Sequence, residues 1–305
     1  MFTRNNKLGI FCIMIIIGMV MSPAVAQASE ARSDIQGEVI ASFTTNEYDS
    51  MMKLKQTSDA ELNKIGYSVE EVAIIKSFSF EEAMLERAQL SDKELYNFGY
   101  NSDQIALLKS YDGESLKDAP QMKAVFGSLT GNIVKTGTPS TNNSKATFNW
   151  EWTNAPLVCG VLPDIVACYY SGTAFDNSVS VVSVVDRSCI VDYYGNNNNK
   201  IGSKYPTVNV HSPHNKVDAK FKMVESFVGQ QNAWAKKGSL TVGIKEESVV
   251  NQLYSTTYTF AYGHSIIQAY PSISLKGVGI SFNTGVDSMY HHSRTIKYDG
   301  NTTFY

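Results

Sequence analysis

Two hydrophobic periodicities divide this chain. In residues 58–78 (SDAELNKIGYSVEEVAIIKSF) and 91–111 (SDKELYNFGYNSDQIALLKSY), apolar side chains recur at helical spacing. The segments are offset by 33 residues, and nine of 21 positions are identical. Most of the others exchange like for like, as in Ile65/Phe98, Val72/Ile105, Ile74/Leu107 and Phe78/Tyr111. That degree of self-similarity marks a duplication.

Each copy reads as a helix–turn–helix. Ser58 and Ser91 stand three residues before Glu61 and Glu94, the spacing of a capping box. Gly66 and Gly99 fall where a helix C-terminus favours positive φ. Ser68 and Asn101 are placed to cap a second helix carrying Val72 and Ile75, or Ile105 and Leu108. The segment between the copies, FSFEEAMLERAQL, predicts a further helix with Phe80, Met84 and Leu85 on its apolar side. The Gly-Tyr pivot resembles that of small ubiquitin-associated-type helical modules. The resemblance is one dipeptide and a helix pattern, and no function is carried over.

From about residue 148 the period becomes two. Phe148, Trp150 and Trp152 alternate with polar residues, as do Leu240, Val242 and Ile244, and Tyr258, Phe260 and Tyr262. Ile273 and Leu275 keep one parity and Val278, Ile280 and Phe282 the other, which predicts a bulge at Lys276-Gly277. The expected fold is therefore α+β: an N-terminal small all-α domain with a duplicated helix–turn–helix unit, then a C-terminal antiparallel β sandwich or barrel. Expected boundaries are 1–28 for a signal peptide, 29–118 for the helical region, 119–147 for a linker and 148–305 for the β domain. In the linker, Met122 to Leu129 predicts one more helical turn and Thr136 to Lys145 an exposed connection.

The first 28 residues read as an export signal. Arg4 and Lys7 precede an apolar run from Leu8 to Met21, followed by Ala24-Val25-Ala26 and Ala26-Gln27-Ala28. Cleavage is expected after Ala26 or Ala28, giving a secreted, extracellular chain. Cys159, Cys168 and Cys189 lie beyond the signal, an odd number for an oxidising compartment. The reading leaves open a Cys159–Cys168 disulfide or three buried thiols.

Charge changes the picture further. The whole chain holds 26 basic and 29 acidic residues, net −3, which excludes a strongly basic nucleic-acid binder. Residues 29–118 hold 9 basic and 18 acidic, net −9, whereas 119–305 hold 15 and 11, net +4. Docking of an acidic half onto a basic half follows as an expectation.

Candidate chemistry is sparse. His211 and His214, with Asp218 four residues on, suit a zinc ion by residue type, but Pro213 argues for a loop and the helical His-Glu-x-x-His spacing is absent. Glycine loops for phosphate and a Gly-x-Ser-x-Gly elbow are also absent, so no cofactor is expected and the chain leans away from enzymes. Binding residues are expected among Trp150 and Trp152, on one strand face, and Trp234 with Lys236 and Lys237, in a polar loop setting. The leading expectation is a secreted non-enzymatic β domain that binds a cell-envelope polymer, glycan or membrane. Two alternatives are an antibacterial or pore-forming toxin matured from a proprotein with an acidic helical pro-region, and an extracellular hydrolase. In the toxin reading, Tyr254-Ser-Thr-Thr-Tyr-Thr-Phe260 would form membrane hairpins.

Overall fold

The computed structural model describes residues 37–65, 67–136, 143–157, 163–195, 198–211, 215–247, 252–265, 273–275, 280–282, 286–297 and 302–303. The chain runs β1 (Glu38–Asn46), α1 (Glu47–Gln56), α2 (Asp59–Ile65), α3 (Val69–Ser77), α4 (Phe80–Ala88), α5 (Asp92–Asn97) and α6 (Ser102–Ser110). A 3₁₀ turn at Pro120–Val125 leads into β2 (Ser128–Lys135), β3 (Asn143–Trp152), β4 (Pro163–Ala174), β5 (Val179–Ser180), β6 (Val182–Gly195) and β7 (Asn199–Lys204). Then follow β8 (Asn209–His211), β9 (Lys216–Lys222), β10 (Val224–Phe227), β11 (Gln230–Glu246) and β12 (Leu253–Ser265). β13 (Ile273–Leu275), β14 (Ile280–Phe282), β15 (Val286–Lys297) and β16 (Thr302–Thr303) complete it.

The duplication is larger than the sequence match suggests. With the same offset of 33, α1 corresponds to α4, so each copy is three helices. The helix predicted between the copies is the first helix of the second. Met51 and Met84, Leu62 and Leu95, Val72 and Ile105, and Ile75 and Leu108 are equivalent and all buried in one core. Caps are equivalent too: Asn46 and Ser79 cap α1 and α4, and Ser91 and Glu94 form a full capping box. Lys76 donates to the carbonyls of Lys55 and Thr57 at the end of α1. Its counterpart Lys109 donates to those of Ala88 and Leu90 at the end of α4. Each lysine thereby satisfies helix-terminal carbonyls that have no partner within the helix. Gly99 adopts φ +82°, as its place after α5 demands; Gly66 lies outside the described residues.

Fourteen of these strands form two seven-stranded antiparallel sheets, and β13 and β14 pair separately. Sheet A runs β1-β2-β3-β11-β6-β7, with β10 beside β11. Sheet B runs β16-β15-β12-β4-β9-β8, with β5 beside β4. Among the described residues neither sheet closes on itself, so the expectation resolves to a sandwich rather than a barrel. Inward side chains of both sheets share one core. Phe148 of β3 stacks on Phe260 of β12 at 5.7 Å, and Trp150 on Phe221 of β9 at 5.6 Å. Two cross-sheet hydrogen bonds fix the alignment, Trp152 Nε1 to Tyr262 Oη at 3.2 Å and Thr256 Oγ1 to Ser144 Oγ at 2.8 Å.

The connectivity departs from the expected order of helices first and strands second. β1 precedes all six helices and pairs with β2, register Asn46↔Ser128 to Glu38↔Lys135. The helices are thus the long excursion of a hairpin in sheet A. The segment expected to be linker supplies β2, and Thr136 N donates to Lys145 O at 3.1 Å across the turn into β3. Residues 137–142 lie outside the described residues.

Helices and sandwich meet on the segment Asn154–Leu157. Ala155 N donates to Phe98 O at 2.8 Å, and Tyr100 Oη to Ala155 O at 3.2 Å. Buried Arg87 donates to the carbonyls of Pro156 and Leu157 at 2.9 and 2.7 Å, with its guanidinium over the Phe98 ring. Leu157 N donates to Glu47 Oε2 at 2.9 Å. The arginine thus comes from the acidic half and meets neutral carbonyls. These contacts are burial and hydrogen bonding, and they differ from the acid-on-base docking that the charge split suggested. Arg87 occupies the position of Leu54 in the first copy, so only the second copy carries this anchor.

Arg87→Ala is expected to destabilise the chain by about 3 kcal/mol, because it strips charge-assisted bonds from buried carbonyls. Lys109→Ala, at the solvent-facing helix end, should cost about 0.5 kcal/mol. Urea unfolding of the two variants checks the ranking; equal midpoints would contradict the anchor.

Candidate functional site

The outward face of sheet A is built from alternate positions whose neighbours fill the core. Leu240, Val242 and Ile244 of β11 point inward, so Ser239, Thr241 and Gly243 point outward. Beside them, β3 presents Lys145, Thr147, Asn149 and Glu151, and β2 presents Thr130, Asn132 and Val134. Register aligns these into rows. One row crosses six strands as Thr44, Thr130, Glu151, Lys237, Asp192 and Ser203. The next holds Ser42, Asn132, Asn149 and Ser239, with Asn149 Nδ2 donating to Asn132 Oδ1 at 3.1 Å. In the third, the hydroxyls of Thr147 and Thr241 share a hydrogen bond of 2.9 Å.

Ion pairs bracket this field. Lys237 Nζ meets Glu151 Oε2 at 3.0 Å at one end. At the other, the Lys145 ammonium pairs with the Asp186 carboxylate, from two strands away. The residue between them is Gly243, where a Cβ would stand 2.9 Å from that of Asp186. The hydroxyls of Thr147, Ser239 and Thr241 are buried within this field, and its accessible flank is formed by exposed Ser42 and Thr130 with half-buried Asn132 and Asn149. Such a surface offers alternating donors and acceptors to a ligand that is itself an extended array of hydroxyl or amide groups.

The residues expected from sequence distribute unevenly over this site. Lys237 and Lys236 belong to it. Lys236 also bonds Asn198 Oδ1 at 3.0 Å and sits over the Tyr194 ring at 5.3 Å. Burial pulls the Lys236 ammonium down, against the pull of Glu151. The three tryptophans are not at the surface. Trp150 and Trp152 are core residues between the sheets, and Trp234 lies within β11, buried, its ring 2.7 Å from where a Cβ on Gly99 would be. The polar run before Trp234 suggested a loop because it lacks apolar alternation; the helices supply the missing apolar cover.

His211 hydrogen-bonds Asp218 on the β8–β9 pair, and Asn209 Nδ2 adds a bond to Asp218 at 3.2 Å. His214 lies outside the described residues. Among the described residues no three metal-ligating side chains cluster. Cys168 and Cys189 are buried free thiols, both pushed up by burial, Cys189 to about 12. Cys159, for which a disulfide to Cys168 was one of two open readings, lies outside the described residues, as does the bulge predicted at Lys276-Gly277.

A second polar cluster, which sequence reading missed, sits inside the sandwich. Asp164 of β4 accepts from Tyr262 Oη at 2.7 Å, His264 Nδ1 at 2.9 Å and Ser265 N at 3.0 Å. Ser265 Oγ donates to Pro163 O at 2.6 Å. His264 meets the Trp152 ring edge-on at 5.5 Å. Its two parts, Pro163–Asp164 and Tyr262–Ser265, meet only in space, so no spacing along the chain betrays it.

No protein-family model and no curated protein matches the chain. Among solved structures it is similar to a collagen-binding domain from a Staphylococcus aureus adhesin, at 9% identity over 54% of this chain and 95% of that one, TM-score 0.27. A structure titled "Pore forming protein" aligns at 8% identity over 59% and 90%, TM-score 0.23. The collagen binding domain of an Erysipelothrix rhusiopathiae surface protein aligns at 11% identity over 59% and 67%, TM-score 0.22. Likeness at this level bears on neither ligand nor mechanism.

The buried phenols make the sandwich sensitive to alkali. Burial raises Tyr170 to about 12 and pushes Tyr193, Tyr258 and Tyr262 higher still, Asp164 adding to the shift of Tyr262. The folded chain holds these protons more tightly than the unfolded chain. The stability they contribute is whole below pH 10 and falls as pH climbs through the folded values. Phenolate absorbance should therefore show a late, cooperative step coincident with loss of near-ultraviolet dichroism. Smooth titration of every tyrosine in the folded state would contradict this.

Proposed function

We propose that this protein is a secreted, non-catalytic binding protein whose β sandwich engages an extended polymer of the cell envelope, or a glycan, across the outward face of sheet A. The observation that carries the reading is the row Thr44, Thr130, Glu151 and Lys237, continued through buried Asp192 to Ser203, with the accessible row Ser42, Asn132 and Asn149 beside it. An outward sandwich face needs only to be polar. Here its accessible part on β1, β2 and β3 presents Ser42, Thr130, Asn132 and Asn149 rather than long charged side chains alone. Short hydroxyls and amides lose little side-chain entropy when they bind. The flanking Lys–carboxylate pairs orient a ligand and exclude wrong partners more than they add affinity. The export pattern of residues 1–28 supports the compartment.

The test is saturable binding of the purified chain to isolated cell-wall polymer. Asn132→Ala with Asn149→Ala removes two amides from one row and should weaken binding about thirtyfold, since each lost hydrogen bond is worth roughly 1 kcal/mol. Unchanged affinity in the double variant, or no saturable binding by the parent, would sink the proposal.

A further inference from the structure

One flank of the sandwich, where β5 of sheet B passes into β6 of sheet A, carries apolar side chains in water. Val179 is 83% exposed, Val181 64% and Val185 58%. Phe175, in the β4–β5 turn, is 51% exposed and meets Tyr254 edge-on at 5.2 Å. Exposed apolar side chains gathered in so short a stretch mark a contact surface.

Backbone edges are open on the same flank. β5 pairs with β4 at Gly172↔Ser180 and Thr173↔Val179. At the turn, Ala174 N donates to Ser178 O at 2.9 Å. Antiparallel bonds alternate along a ladder, so Ser180 directs its backbone groups at Gly172, whereas Val179 and Val181 direct theirs away from β4. Glu247 N takes one lone pair of Val181 O at 2.9 Å, and a carbonyl can accept a second bond. In sheet A, β7 flanks β6 only from Val191 to Gly195, so among the described residues Val182–Ile190 have no strand on that side.

Ser180 adds an independent observation. It is 3% exposed, and a Cβ on Gly172 would stand 3.2 Å from its own Cβ. Among the described residues its hydroxyl has no hydrogen-bond partner. A buried hydroxyl left in that state is destabilising. The edge sequence Val179-Ser180-Val181 is symmetric about it.

We propose that β5 pairs with β5 of a second copy of this chain, antiparallel about a two-fold axis through Ser180. Val179 of each copy then faces Val181 of the other in a hydrogen-bonded pair, apolar against apolar on the outer face. The two Ser180 residues form the close, non-hydrogen-bonded pair between them, and each hydroxyl gains the other as its partner. Sheet B becomes continuous across the dimer. A second copy is the occupant that fits, because this edge is its own complement about Ser180 and a two-fold dimer covers one patch with itself. The paired edge is short and the apolar strip is smaller than a standard interface, so the dissociation constant is on the order of 50 µM. β5 belongs to sheet B and takes no part in the polymer-binding face of sheet A.

Sedimentation equilibrium of the purified chain at concentrations up to about 0.5 mM tests the pairing. The parent should be mainly dimeric at the upper end. Val179→Lys and Val181→Lys, each of which sets a charge into both cross-strand pairs, should weaken association at least about thirtyfold. Val228→Lys, at a fully exposed valine in the β10–β11 turn, should stay within about twofold. Ser180→Cys should give a disulfide-linked dimer under mild oxidation, since facing Cα atoms of a non-hydrogen-bonded pair lie about 4.5 Å apart, within disulfide reach. Thermal midpoints near that of the parent exclude loss of folding in the lysine variants. A parent that stays monomeric at the highest concentration overturns the proposal. So does a dimer indifferent to both β5 lysine substitutions, or one that Ser180→Cys fails to lock.

Discussion

The pairing of β1 with β2 is the constraint on which the rest of this structure depends. It places a strand from before the helices at the edge of sheet A, with Glu38 and Lys135 joined by an ion pair of 2.7 Å at one end and Asn46 and Ser128 side chains hydrogen-bonded at the other. Because β1 is antiparallel to β2, everything from Glu47 to Gly127 leaves and re-enters the sandwich at one point. Glu47 N donates to Gly127 O at 3.0 Å across that neck. β1 is also bound to the opposite sheet, since Arg294 Nε of β15 donates to Ile40 O. A cut in the connection to β2 would leave the helices tethered through β1. Their removal would strip an edge strand from sheet A and bare the edge of β2.

This topology gives the charge asymmetry a different meaning. The acidic residues sit on the solvated turns and first turns of short helices, where they complement helix dipoles and close capping boxes with Ser68 and Ser91. The contact with the sandwich is made by Arg87, Tyr100, Phe98 and the carboxylate of Glu47 on backbone groups of residues 155–157. Charge that lies outside the interface sets solubility and long-range steering, while the buried hydrogen bonds set the docking geometry. Duplication explains how both needs are met. Position 54 remains leucine in the first copy, and its counterpart became the arginine that anchors the second.

Much of this was legible from local rules. Capping boxes, the glycine at positive φ and the alternation of Phe148, Trp150 and Trp152 are encoded within a few residues, and the structure bears each of them out. The two halves were legible as helix and strand for the same reason. What escaped depends on pairing across long distances. β1 carries alternation too short to outweigh the helices that follow, and β2 sits where glycine, proline and threonine suggest a linker. Trp234 looked exposed because its cover, Gly99, arrives from 135 positions earlier. The outward face of sheet A was visible only as single polar residues on separate strands, and register alone makes them rows. The Asp164 cluster was hidden likewise, its acceptor and donors about a hundred residues apart.

The helical excursion and the last residues of β12 meet at the same end of the sandwich. The excursion leaves β1 and re-enters β2 beside Leu129, whose register partner is Trp152. β12 ends at His264 and Ser265, and His264 packs against that same Trp152 ring. Gly127 closes on the ring from the other side, where a Cβ would stand 3.2 Å away, and α1 packs against β15. Trp152 is therefore wedged between the root of the helices and the end of β12, with its indole nitrogen bonded to Tyr262 in the Asp164 cluster. Close-packed interiors do not yield gradually. A rearrangement that draws His264 and Ser265 away from Asp164 must move Trp152 or leave a void against it, and either change reaches Gly127 and the neck of the helical excursion.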